Sequence, residues 1–123
     1  MKVLIAEDSP TIRRLVATRL AANGYEVLEA ADGEEAVEMA LRERPDLLVL
    51  DKVMPKLDGF EVVRAVREDP RTRSAPIVML TERTNEEDVL GGLDLGVEEY
   101  IPKPFNPHEL SARIRRLLAR AAP

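Results

Sequence analysis

The sequence contains no cysteine, which excludes disulfides and thiolate metal sites without identifying a compartment. No apolar run approaches the ~20 residues that a membrane helix needs, and the N-terminus becomes acidic too early for a signal peptide. Repeats and low-complexity segments are also missing. Basic residues are outnumbered by acidic ones, and the formal net charge of −5 argues against non-specific nucleic-acid binding. We therefore expect a cytoplasmic protein, and the 123 residues correspond to one domain.

Strand-like and helix-like patterns alternate along the chain. The predicted strands are 2–7, 25–30, 47–50, 76–81 and 99–103. The predicted helices begin after the N-cap Ser9, at Gly33, after the cap Asp58, at Asn85 and at Pro107. The predicted inward positions of the last helix are Leu110, Ile114, Leu117 and Ala121. Continuously apolar strands that are each followed by a helix indicate an α/β protein, with a parallel sheet covered on both faces.

Polar side chains stand where four of these strands end. Glu7 and Asp8 follow the first strand, Asp51 the third, Thr81 the fourth and Lys103 the fifth. Open parallel sheets bind ligands beyond the carboxyl ends of their strands. Two carboxylates ~4 Å apart repel each other by roughly 4 kcal/mol at an effective dielectric near 20, so a cation would stabilise such a cluster. An all-oxygen ligand set suits Mg²⁺.

These residues, in this order and spacing, resemble the receiver domain of two-component response regulators. The resemblance covers nearly the whole chain. It is carried by Glu7-Asp8, by Asp51 with Met54-Pro55 and Asp58-Gly59, by Thr81, and by the sequence YIPKPF at positions 100–105. It implies a flavodoxin-like, doubly wound (βα)5 fold with strand order 2-1-3-4-5. Residues 1–123 would form this one domain, and any output domain would lie beyond position 123.

The resemblance also implies a role for each site residue. Asp51 would accept a phosphoryl group from a histidine kinase, a phosphotransfer protein or acetyl phosphate. Glu7, Asp8, Asp51 and the backbone carbonyl of Val53 would hold Mg²⁺ or Mn²⁺. Thr81 and Lys103 would contact the phosphoryl oxygens, and Tyr100 would be the aromatic switch that follows Thr81. Such a protein is a signalling switch and not an enzyme, since it catalyses only its own phosphorylation and dephosphorylation.

Three other functions compete with this interpretation. A dehalogenase-like phosphatase would have a second aspartate two residues after Asp51, where Val53 stands. A dinucleotide-binding domain would have a glycine-rich turn after the first strand, where the sequence is EDSPT. A pseudo-receiver that works without phosphorylation is the main alternative, but it would usually have lost the acceptor, an acid or the lysine.

Glu82 departs from the family pattern, which has a small residue there. We expect Glu82 at the mouth of the site unless it faces solvent or pairs with Lys52 or Arg83.

The segment from Gly92 to Arg116 looks most like receivers attached to winged-helix transcription factors. That likeness predicts a homodimer through the fourth helix, the fifth strand and the fifth helix. In such a dimer Glu99 would pair with Arg113 across a two-fold axis, Leu90 and Leu93 would form the apolar centre, and Glu109 would lack its usual partner. The receiver itself would contact neither nucleic acid nor a membrane.

Overall fold

The computed structural model describes residues 1–82 and 96–121. Within these ranges strands and helices alternate. The elements are β1 (Lys2–Ala6), α1 (Pro10–Ala22), β2 (Glu26–Ala30), α2 (Gly33–Glu43), β3 (Leu47–Asp51), α3 (Gly59–Glu68), β4 (Ile77–Thr81), β5 (Glu99–Pro102) and α4 (Pro107–Ala121). Each strand differs from its predicted bounds by one residue, and the four helices named here begin where the sequence predicted. The helix predicted to begin at Asn85, with Leu90 and Leu93, lies outside the described residues.

All five strands run parallel in the order β2-β1-β3-β4-β5. This is the order that the resemblance implied. Because β1 and β3 are neighbours at the centre of the sheet, the segments after them lie side by side at its carboxyl edge. Pro102 has no N–H to donate, and it lies at the end of the edge strand β5, where a missing donor is tolerated.

Alternate residues of the central strands point to opposite faces of the sheet, and each face has its own core. One core packs β1, β3 and β4 against α1 and α4 through residues such as Val16, Leu20 and Ile114. The other packs the same strands against α2 and α3 through Ala36, Ala40, and the trio Val62, Val63 and Val66. Among residues 1–82 and 96–121, no helix is long and apolar enough to cross a bilayer.

Local signals set the helix ends that the sequence indicated. The Ser9 side chain accepts a hydrogen bond from the Ile12 amide, and Pro10 occupies the first helical position of α1. Asp58 and Glu61 form a capping box at the start of α3, which satisfies two backbone N–H groups at that end of the helix.

Two expectations for the C-terminal part were wrong. Ala121 is exposed, and Leu118 is buried on α4 instead, one turn after the buried Ile114 and on the same face of the helix. Glu109 also has a partner within the chain, the Arg113 guanidinium. Its Nη1 lies 2.7 Å from Glu99 within the same chain, and its Nη2 lies 2.8 Å from Glu109 one turn earlier. Arg116 also binds Glu99, at 2.9 Å.

Candidate functional site

The polar groups at the strand ends meet in one cleft. Glu7 follows β1, Asp51 ends β3, Thr81 ends β4 and Lys103 follows β5. The cleft is open to solvent and has a volume of about 500 Å³. Its lining consists of Glu7, Asp8, Ser9, Ile12, Asp51, Lys52, Val53, Thr81, Glu82 and Lys103. The prediction that the strand ends would come together is therefore confirmed.

Lys103 joins two of the acids. Its Nζ lies 2.6 Å from Glu7 Oε1 and 3.2 Å from Asp51 Oδ2. The peptide bond between Lys103 and Pro104 is cis. The Lys103 amide donates to the main-chain oxygen of Thr81 at 2.7 Å, so this residue is bound to β4 as well as to the acids.

Glu7 is the most deeply placed member of the cluster, with no exposed surface. Burial raises its pKa, and the neighbouring Asp51 carboxylate raises it further, while Lys103 and the Ser9 amide act in the opposite direction. Burial lowers the pKa of Lys103, but the two carboxylates more than offset this and the pKa is raised. Lys103 thus stays charged, and its single charge does not fully compensate the acids around it.

The acids fit a divalent cation. Glu7, Asp8 and Asp51 each offer an oxygen, and these oxygens lie within 4.8 Å of one another. Glu7 and Asp51 are buried, while Asp8 is exposed and faces the open side. Such a donor set, with room for retained waters in the cleft, is what hard cations such as Mg²⁺ prefer. After burial, the Asp51 carboxylate also contributes to the raised pKa of Glu7, so a cation between the two acids would relieve their repulsion.

The remaining predicted residues take different positions around the cleft. The Val53 amide donates to Asp51 Oδ1 at 3.3 Å, and its side chain is 72% exposed at the rim. Thr81 is buried beside the acids. Glu82 is exposed and lines the mouth, as expected. Tyr100 is half-buried on β5 and packs against the core on the α2 and α3 side, away from the acid cluster.

Two contacts at this site were not predicted from the sequence. The Ser9 amide donates to Glu7 Oε2 at 3.3 Å, and Arg13 Nη1 donates to the main-chain oxygen of Glu7 at 2.8 Å. Ser9 had been interpreted only as a helix cap. A signal for Arg13 exists in principle, because a basic residue in the second turn of α1 can reach back over the loop that precedes the helix.

Comparisons with known proteins agree on one family. The family model described as the response regulator receiver domain matches residues 3–115. A probable transcriptional regulator, ycf27 of Porphyridium aerugineum, is 49% identical over 119 residues, covering 97% of this chain and 48% of that protein. The alkaline phosphatase synthesis transcriptional regulatory protein PhoP of Bacillus subtilis (strain 168) is 43% identical over 120 residues, covering 98% of this chain and 49% of PhoP.

Solved structures agree with the sequence relatives. The receiver domain of the Francisella response regulator 1452 superposes with a TM-score of 0.90 at 31% identity and covers 98% of both chains. The chain spans about half the length of the curated relatives it matches. A family model that covers nearly the whole chain and the relatives of 43–49% identity lead to one conclusion. The chain belongs to the response regulator receiver domain family.

Proposed function

We propose that this receiver is a phosphorylation-dependent switch with Asp51 as its phosphoacceptor. The observation that carries the proposal is the convergence of Asp51, Glu7 and Lys103 in one cleft, with the ammonium between the two carboxylates. An Asp51 oxygen attacks phosphorus and forms an acyl phosphate, while the bond from phosphorus to the donor's leaving group breaks. The donor is a histidine kinase, a phosphotransfer protein or acetyl phosphate.

The residues around Asp51 then have defined tasks. Glu7, Asp8, Asp51 and the carbonyl of Val53 would hold Mg²⁺ or Mn²⁺, which neutralises charge on the transferring phosphoryl group. Lys103 moves away from Glu7 and binds a phosphoryl oxygen as a point charge. The Thr81 hydroxyl donates a hydrogen bond to another phosphoryl oxygen. The resulting shift of β4 lets Tyr100 turn inward. A ligand moves a conformational equilibrium only through such differential contacts.

In the proposal the domain works in the cytoplasm and controls an output domain beyond residue 123. The curated relatives named above are transcriptional regulators about twice as long, which supports a DNA-binding output. Self-association would use β5, α4 and the segment before β5. Since Glu99 and Arg113 pair within one chain, a dimer would have to exchange or surround this pair. Sedimentation velocity before and after phosphorylation tests for the dimer.

Intact-mass spectrometry after incubation with acetyl phosphate and Mg²⁺ tests the central step. We expect one added phosphoryl group that is released by base, as an acyl phosphate is. Asp51→Asn should abolish it, and Asp69→Asn, a surface acid paired with Arg71 outside the cleft, should not. Modification that persists in Asp51→Asn would contradict the assignment. An unmodified wild type that still binds its partner would favour the pseudo-receiver.

A further inference from the structure

Arg13 connects the acid cluster to the neighbouring strand β2. Its side chain is 17% exposed, and Nη1 donates to the main-chain oxygen of Glu7 at 2.8 Å. On its other edge, Nε lies 3.4 Å from Glu29 Oε1, and Glu29 belongs to β2. The carbonyl that Arg13 binds is part of the peptide unit that joins Glu7 to Asp8.

This contact constrains Asp8 more than it constrains Glu7. The Glu7 side chain is already bound by the Ser9 amide and by Lys103, and its own amide donates to the Ala30 oxygen at 3.1 Å. Asp8 is exposed, so packing does not fix it. Because a peptide unit is planar, the direction of the Glu7 carbonyl determines where the Asp8 Cα lies. A donor bound to that carbonyl therefore sets the direction from which the Asp8 carboxylate approaches Glu7 and Asp51.

We propose that Arg13, oriented by Glu29, is a positioning residue that holds the Glu7–Asp8 peptide so that both acids can bind one cation. The proposal rests on the proposed function, since the cation is the one required for phosphorylation of Asp51. Arg13 acts through the backbone and touches neither the cation nor the phosphoryl group.

Arg14 provides a matched control on the same helix. It carries the same charge, its Nη1 binds Glu29 Oε2 at 2.5 Å, and its side chain is 68% exposed. The contact with the Glu7 carbonyl belongs to Arg13. Removing either arginine removes one positive charge near an anionic cleft, and by electrostatics alone this raises cation affinity. Only the loss of positioning lowers the cation affinity, so the electrostatic effect and the positioning effect have opposite signs.

The test measures Mn²⁺ binding to the phosphate-free protein by electron paramagnetic resonance. We expect Arg13→Met to weaken Mn²⁺ binding about 10-fold, the lower end of what loss of an outer hydrogen-bond partner costs a metal site. Arg14→Met should leave the affinity equal or higher. Arg13→Lys should recover most of the loss, since an ammonium at similar reach can donate to the same carbonyl. The rates of phosphorylation by acetyl phosphate should follow the same order among wild type and these variants at low Mg²⁺. At saturating Mg²⁺ the rates should become equal.

The outcomes separate the two proposals. If wild type takes up phosphate and binds Mn²⁺, and Arg13→Met matches Arg14→Met, the positioning role is wrong and the proposed function stands. If wild type neither binds Mn²⁺ nor accepts phosphate, both are wrong. Circular dichroism checks folding, and if Arg13→Met does not fold, Arg13→Gln takes its place in the comparison. A loss that Arg13→Lys does not relieve at all would also contradict the role.

Discussion

Gly59, at the start of helix α3, lies close to the backbone of the proposed phosphoacceptor Asp51. It is the first residue of α3, and its amide donates to the Lys52 oxygen at 2.8 Å. A Cβ at this position would lie 2.7 Å from the main-chain oxygen of Asp51, 2.8 Å from Met79 Sδ and 3.0 Å from the Lys52 Cα. Gly59→Ala therefore tests whether the geometry of Asp51 depends on this contact.

The cost follows from which neighbour can move. The Met79 sulfur can swing aside, but the Asp51 carbonyl belongs to the fully buried strand β3. Restoring an ordinary contact of 3.4 Å to that oxygen requires a shift of 3.4 − 2.7, or about 0.7 Å. Overpacking of this kind costs roughly 1–3 kcal/mol of unfolding free energy. A displacement approaching 1 Å at a reacting group can reduce the rate about 100-fold, so we expect phosphorylation to slow at least 10-fold.

Urea unfolding and acetyl phosphate kinetics measure the two effects separately. Gly24→Ala is the control. Gly24 has φ +93°, and a Cβ there would meet nothing within 4 Å, so alanine adds backbone strain of roughly 1–2 kcal/mol without a clash. Gly24 follows α1 at the amino edge of the sheet, away from the cleft, so its variant should phosphorylate within twofold of wild type. If Gly59→Ala unfolds and phosphorylates like wild type, the reasoning from contact to chemistry is refuted.

Three other predictions concern charged side chains. Because burial and Asp51 raise the pKa of Glu7, its protonation favours the folded state; this contribution is complete below pH 4.5 and is lost as pH rises through the raised pKa. In metal-free urea titrations Glu7→Gln should therefore gain stability over wild type as pH rises from 4.5. Arg67 donates to the main-chain oxygens of residues 73, 75 and 96 at 2.6–2.9 Å, so Arg67→Ala should lower the unfolding free energy by about 2 kcal/mol in the same assay. At the cleft mouth, Glu82→Ala should speed acetyl phosphate phosphorylation and shorten the phosphoryl lifetime, because a repelling and shielding side chain is lost. Glu82→Gln should recover mainly the speed. Rates unchanged within twofold in Glu82→Ala would mean that Glu82 faces solvent or pairs with Lys52 or Arg83.

The edge of the sheet was predictable because parallel strands bring their carboxyl ends together whatever their exact register. Asp51 and Thr81 each follow a continuous apolar run, and such a run has a readable end. Partners across the sheet were harder to predict. The charges of Glu99 and Arg113 are evident in the sequence, but whether they meet within one chain depends on how the turn after β5 aims α4. Helical periodicity also led to the wrong choice of Ala121, because Leu118 fits the spacing from Ile114 equally well.

Which of the acids the Lys103 ammonium contacts more closely could not be predicted from the sequence either, because it also depends on contacts across the sheet. Lys103 lies closer to Glu7 than to Asp51, at 2.6 Å against 3.2 Å, so the proposed phosphoacceptor shares its counter-ion with a buried neighbour. In the proposed function, phosphorylation gives Lys103 a third anion to bind and weakens its contact with Glu7. The Lys103 amide is bonded to the Thr81 oxygen, so a shift of Lys103 acts on the pairing of β4 with β5. Tyr100 lies on β5 opposite Met79, so the expected switch is two residue pairs along β4 and β5 from the end where the charge changes.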